Sequence, residues 1–187
     1  MEFPKHYLIT PAVEDEGDFL KALERSVQAG TRLLQLKEKG MDPADYEALA
    51  GKVIPVAHHY GCRVLLTGDP GRVAAVGADG LHLDSKGLAA ADRRPVPGRL
   101  LLAVSGHDVD ALQKGQALGA DFAVISPVKY TRAHPDMEPL GWNGLKEAAG
   151  VLEIPVYALG GVSAEDEGDA IAAGAQGIAG HRGYWKA

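Results

Sequence analysis

One short phrase recurs along this chain where helix-like stretches give way to strand-like ones. Gln28-Ala-Gly-Thr31, Gly77-Ala-Asp-Gly80, Gly119-Ala-Asp-Phe122 and Gly174-Ala-Gln-Gly177 each follow an amphipathic segment and precede an apolar run. Glycine can take the left-handed conformation that stops a helix and turns the chain. A repeated αβ junction implies a repeated βα unit, and strands that alternate with helices pair in parallel. Few folds satisfy that condition.

The apolar runs number eight: 6–10, 33–39, 63–67, 80–84, 100–105, 122–128, 156–161 and 177–182. Each has the length of a buried strand, and most are rich in Leu, Val or Ile. Between the first two, Phe19, Leu20, Leu23 and Val27 repeat at helical spacing and Gly30 stands at the C-cap. Asp42-Pro43 reads as an N-cap and first helical residue, with Pro55 expected to kink or end that helix. Asp108 caps a further helix, and Ser163 with Asp166 forms a capping box. The connectors after the third, fourth and sixth strands have weak helical patterns and read as short or irregular. Eight units predict a closed α/β barrel, the (β/α)8 TIM barrel, in a compact version whose last helix is truncated or missing. An open doubly wound sheet is the rival.

In such a barrel the chemistry sits at the C-terminal ends of the strands. Reading those ends in turn gives Thr10; Gln35, Lys37 and Lys39; Thr67; His82 and Asp84; Ser105 and His107; then Ser126, Lys129, Thr131 and His134; and lastly Gly160, Gly161, Gly180, His181 and Arg182. Gln35, Lys37 and Lys39 share parity, so all three point to one side of an extended strand. Three polar side chains on one face are costly in a dry core, which suits an anionic ligand. Gly160-Gly161 and Gly180-His-Arg-Gly183 fall where these barrels bind phosphate, with glycine backbone approaching the oxygens and Arg182 adding a contact. After the sixth strand comes a loop dense in cations and hydroxyls, bracketed by Pro127, Pro135 and Pro139. The histidines show no metal-binding spacing such as HExxH, although His82, Asp84 and His107 come from adjacent strand ends.

The 187 residues suit one domain, 1–187. A net charge of −6 argues against binding nucleic acid through a broad basic face. The single Cys62 fits a reducing compartment, and neither a secretory signal nor a membrane-spanning run is legible. These features predict a cytoplasmic protein.

Gln35-Leu-Lys-Glu-Lys39, Gly77-Ala-Asp-Gly-Leu-His82-Leu, Val104-Ser105, Gly119-Ala-Asp-Phe122, Ser126-Pro-Val with Thr131, and Ala158-Leu-Gly-Gly161 together resemble the thiamine-phosphate synthase/TenI family. The likeness runs in order along nearly the whole chain. The segment from Ser126 through Pro135 to Trp142 is most similar to the branch fused to Nudix (MutT-type) hydrolases.

The resemblance implies the same barrel. It also implies a small phosphorylated heterocycle, of the thiazole phosphate kind, as the binding partner. Synthases of the family join it to a hydroxymethylpyrimidine diphosphate with Mg2+; TenI members include thiazole tautomerases. Gln35, Lys37 and Lys39 match the diphosphate-facing strand, with Lys37 where synthases carry Arg. Ser105 and Thr131 match ligand-facing positions, and Gly160 and Gly161 match the thiazole-phosphate loop.

Departures from the pattern are specific. The synthase Asn-Asp after strand three reads Thr67-Gly68 here, with Asp69 one place late. The second metal-binding Asp falls near Gly87, so Mg2+, if synthase activity is kept, would need Asp69 and Asp84 from shifted positions. The Thr-x-Thr-Lys segment reads Thr131-Arg-Ala-His134, and the tautomerase histidine aligns with Pro127. His134 or His107 would then serve as acid–base catalyst, with Lys37 and Lys39 as electrostatic partners. The expected function is coupling or tautomerisation of thiazole phosphate in thiamine biosynthesis or salvage. The alternative is a non-catalytic phosphate-binding or sensing barrel without the synthase metal site. A homo-oligomer and a fused or associated Nudix hydrolase are compatible with either.

Overall fold

A computed structural model of the chain describes residues 2–38, 40–133, 135–181 and 183–187. Its strands are β1 (His6–Ile9), β2 (Leu33–Leu36), β3 (Arg63–Thr67), β4 (Gly80–Leu83), β5 (Leu101–Gly106), β6 (Phe122–Ile125), β7 (Val156–Ala158) and β8 (Gly177–Gly180). All pair in parallel with their sequence neighbours, and β8 returns to β1 to close the barrel. Between them lie α1 (Glu16–Gln28), α2 (Pro43–His59), α3 (Pro70–Ala75), α4 (Ser85–Ala90), α5 (Val109–Ala117), α6 (Gly141–Val151) and α7 (Glu167–Ala172). The expected closed (β/α)8 barrel is what forms, and the open-sheet rival fails. Among the described residues no helix is long and apolar enough to cross a membrane.

The recurring glycine does the work expected of it. At Gly30, Gly77, Gly119 and Gly174 φ is positive. The next residue donates its N–H to a carbonyl five positions back: Thr31 to Ser26, Ala78 to Val73, Ala120 to Gly115 and Ala175 to Ala170. This is a Schellman-type stop, which satisfies the orphan carbonyls of the helix end. The Asp of each Gly-Ala-Asp copy then reaches the preceding strand. Asp79 Oδ2 accepts from Val64 N at 2.7 Å and Asp121 Oδ2 from Leu102 N at 2.8 Å. A fifth copy ends α2, where Gly61 has φ +69 and Cys62 donates to Ala57, without the Gly-Ala wording.

Three expectations need correction. The helix α2 does not stop at Pro55 but continues to His59. Pro55 removes one hydrogen bond near the C-terminal end of the helix, and the remaining turn still closes. The connector after β6 is not irregular: α6 spans 11 residues. It escaped the pattern because it buries only Leu145 and Ala148, carries three glycines and has no side-chain cap. The strands at β2, β6, β7 and β8 also end before the apolar runs do, which leaves Lys37, Ser126, Gly160 and His181 beyond the ladder. The helices after β3 and β4 are short, as expected.

No helix follows β8 among the described residues. The segment instead lies along α1: Trp185 packs on Phe19 with ring centroids 5.0 Å apart, and Lys186 N donates to Ser26 Oγ at 2.9 Å. The core has two parts. Leu, Val and Ala side chains fill the shell between strands and helices. Inside the barrel, Tyr7, Phe122 and Tyr157 pack as a tilted and edge-on cluster, with Phe3 below Phe122 at 5.0 Å. The N-terminal end is therefore plugged by aromatic rings, and any opening lies at the other end.

Candidate active site

A cavity of about 290 Å³ opens at the C-terminal end of the strands. Lys37, Ser126, Thr131, Gly160, Gly161 and Gly180 are among its walls, and Ile9, Leu159 and Ala179 give it an apolar side. A wider depression of about 990 Å³ follows residues 91–97, but that one segment alone lines it and it holds none of the strand-end residues. The mouth cavity is the candidate site.

The Gly160-Gly161 turn has φ +87 and +68. A Cβ on Gly160 would lie 2.7 Å from Pro127 Cα, and one on Gly161 would lie 2.7 Å from Lys129 Cβ. Glycine is thus required for the β7 turn to lie against the loop after β6. Lys129 N donates to Gly160 O at 2.9 Å and Val128 N to Leu159 O at 2.9 Å, which ties the two together. Lys129 Nζ also meets Asp166 Oδ1 at 2.5 Å and stands 5.3 Å from the Trp142 ring centre. That contact, with the N–H of Ser163, holds the Asp166 carboxyl below its usual range. The consequence for the cavity is specific. The N–H groups of Gly160, Gly161 and Val162 donate to no described residue. Unpaired N–H donors of this kind are groups that anions can bind, and Lys37 lines the same cavity.

Below the cavity the barrel lumen carries a polar layer. Gln35 is 3% exposed and donates to Thr67 Oγ1 at 2.9 Å; it does not reach the cavity walls. His82 is fully enclosed, with Nδ1 at 2.8 Å from Tyr7 Oη and Nε2 at 2.5 Å from Ser105 Oγ. Burial, and then the nearby Lys37, lower its pKa to about 3, so the imidazole is neutral. Ser105 is half-buried at the mouth on β5, one strand over from the cavity's Ser126. His82, Asp84 and His107 do not converge: His107 turns to Ser126, where its Nδ1 donates to the backbone oxygen at 2.8 Å. Tyr7 and the Lys129–Asp166 contact were not singled out from sequence. The one signal available for Tyr7 was its inward parity on β1, shared with Ile9.

Lys39, His134 and Arg182 lie outside the described residues. Asp69 and Asp84 sit just past the ends of the paired strands β3 and β4, both exposed. Each caps the helix that follows, Asp69 Oδ1 accepting from Gly71 N and Asp84 Oδ1 from Gly87 N, both at 2.8 Å. Among the described residues no cluster of three or more His, Cys, Asp or Glu could hold a metal ion. Among the described residues these carboxylates make no metal site by themselves, and a Mg2+ there would take most of its shell from phosphate oxygens and water.

Fold and mouth together define a parallel (β/α)8 barrel with a cavity at the C-terminal ends of its strands. The pattern of the TMP-TENI family, described as thiamine monophosphate synthase, matches residues 6–183, and the chain belongs to that family. A protein of Aquifex aeolicus (strain VF5) is 33% identical over 180 residues, covering 96% of this chain and 97% of that protein. A thiamine-phosphate synthase of Streptococcus suis (strain 98HAH33) is 34% identical over 170 residues, covering 88% and 74%. In structure the chain is similar to the thiamine phosphate pyrophosphorylase from Pyrococcus furiosus, with a TM-score of 0.76 at 20% identity over 94% and 84% of the two chains.

Proposed function

We propose that the chain is a thiamine-phosphate synthase, coupling a thiazole phosphate to a hydroxymethylpyrimidine diphosphate. The observation that carries this reading is the cradle of unpaired N–H groups at Gly160, Gly161 and Val162, facing the same cavity as Lys37. In this reading the cradle binds the thiazole phosphate, and Lys37 and Thr131 face the second substrate. The new bond is carbon to ring nitrogen; the bond that breaks is carbon to diphosphate oxygen, and the diphosphate leaves with the electron pair. Lys37 offsets charge on that leaving group. Mg2+ held by Asp69 and Asp84 would neutralise the diphosphate further. The apolar side formed by Ile9, Leu159 and Ala179 keeps water from the reacting carbon.

A cytosolic location belongs to this reading, supported by the one buried thiol, Cys62. So does a place in the Nudix-associated branch, which rests on the 126–142 segment. Tautomerisation is the second reading, favoured by His107: with the Nδ1 proton committed to Ser126 O, Nε2 is the nitrogen that accepts a proton. The test is incubation of the purified chain with thiazole phosphate, with and without the pyrimidine diphosphate and Mg2+. Thiamine phosphate formed only with both supports the synthase. Metal-independent proton exchange on the thiazole supports the tautomerase, and neither product refutes both.

A further inference from the structure

The polar chain beneath the cavity has a direction. Tyr7 Oη is fully buried, and among the described residues its hydrogen bond goes to His82 Nδ1. The neighbouring Tyr157 is no partner, since its own hydroxyl donates to Pro4 O at 2.5 Å. A neutral imidazole carries one N–H and one acceptor nitrogen. Were Nδ1 protonated, Tyr7 would have to accept, and its phenolic hydrogen would be buried without an acceptor. With Tyr7 donating, Nε2 must hold the imidazole proton and give it to Ser105 Oγ, 2.5 Å away. Only this direction leaves every buried hydrogen satisfied. Tyr7 stays a phenol, its pKa raised well above the ordinary value by burial.

We infer that Tyr7 locks His82 in its Nε2-protonated tautomer, so that Ser105 accepts from the imidazole and presents its own hydroxyl hydrogen to the mouth as a fixed donor. The inference rests on reading the mouth as the substrate site. Ser105 then offers its hydrogen to a ligand with an acceptor atom at that point, an anionic oxygen or a bare ring nitrogen. Tyr7 and His82 are positioning residues, both fully enclosed; Ser105 is the half-buried end of the chain, on β5 next to the strand that leads to the cavity's Ser126, although it is not itself among the cavity walls.

The direct test needs no substrate. Protein labelled with 15N-histidine is examined by long-range 1H–15N correlation, with the His82 signals assigned by their loss in His82→Gln. A single Nε2-protonated imidazole is expected, and Tyr7→Phe should bring in the Nδ1-protonated form. An Nδ1-protonated wild type, or an unchanged tautomer in Tyr7→Phe, would overturn the assignment.

The kinetic arm uses the proposed coupling reaction. Ser105→Ala and Tyr7→Phe should each lower kcat/KM by up to about tenfold, the worth of one neutral hydrogen bond. Because Tyr7 acts through Ser105, the double variant should be no worse than Ser105→Ala. Multiplying losses would contradict the relay. Absence of any turnover would count against the proposed function and leave the tautomer measurement to decide the relay.

Discussion

Replacing Gly161 with alanine tests the mouth at the point where folding and ligand binding depend on the same atoms. Gly161 has φ +68, where an L-residue pays roughly 1–2 kcal/mol. Its new Cβ would lie 2.7 Å from Lys129 Cβ and would also crowd the Tyr130 carbonyl. Neither neighbour can swing away freely. Lys129 is held by Asp166, and its backbone N–H is bonded to Gly160 O. Relieving such overpacking by backbone shifts costs about 1–3 kcal/mol. The sum, about 2–5 kcal/mol, is a substantial share of the roughly 5–15 kcal/mol that holds a domain together. For a chain of this size it should lower Tm by roughly 4–20 °C.

The matched control is Gly168→Ala. Gly168 lies within α7, and a Cβ there meets nothing within 4 Å. That change should be neutral or stabilising by about 0.5–1 kcal/mol. Both variants go through urea unfolding, followed by calorimetric titration with thiazole phosphate. Gly161→Ala should lose stability and also bind at least about tenfold more weakly, since its N–H can no longer stay in place. A midpoint equal to that of wild type would refute the packing argument. Lost stability with unchanged affinity would refute the cradle.

Lys37→Met should weaken binding of thiazole phosphate or pyrimidine diphosphate by roughly 10–100-fold, the loss of one charge-assisted contact, with a flatter salt dependence in the same titrations. Asp84→Asn keeps a good N-cap but removes a metal-binding charge, so the melting temperature should hold while the Mg2+ needed for half-maximal coupling rises; an unchanged metal requirement would remove Asp84 from the site. His82 carries a pH signature. Its folded pKa is depressed from 6.5 to about 3, so its contribution to stability is complete above 6.5 and is lost as pH falls towards 3. Across that window urea unfolding of wild type should lose up to about 1.4 kcal/mol per pH unit more than His82→Gln, and parallel curves would contradict a neutral buried imidazole.

The barrel was legible because its signals are local. A Schellman stop needs residues within five or six positions of one another, so Gly77-Ala-Asp and Gly119-Ala-Asp announce themselves. The stop at Gly61 shares that geometry but not the wording, since Tyr60 and Cys62 flank it. What failed was also local but weak. Helix α6 is held by two buried side chains, too few to set a period. The Gly160-Gly161 pair read as a phosphate turn, and both residues line the mouth cavity. Their packing role was hidden: those glycines make room for Pro127 and Lys129, over thirty positions earlier in the chain, and no spacing rule encodes that.

Side-chain partners inside the barrel illustrate why the rest stayed out of reach. Parity puts Gln35 and Lys37 on the inner side of β2, and the high cost of burying polar groups argued for an anion opposite them. The structure offers two answers at successive positions. Gln35 lies within the strand, and Thr67 on β3 satisfies it; Thr67 Oγ1 in turn bonds Leu36 O at 3.4 Å. Lys37 stands past the last ladder residue and reaches the cavity. The same division holds between His82, bonded below to Tyr7 and level with Ser105, and the donors of the β7 turn, which bond no described residue. Closing eight strands into a cylinder brings residues 75 positions apart to 2.8 Å. Polar side chains inside the ladder can therefore satisfy one another. The polar side chains of Lys37, Ser126 and Thr131 that line the cavity lie in the few residues between a strand's last ladder bond and the next helix, and the apolar runs understated that margin by overstating the strands.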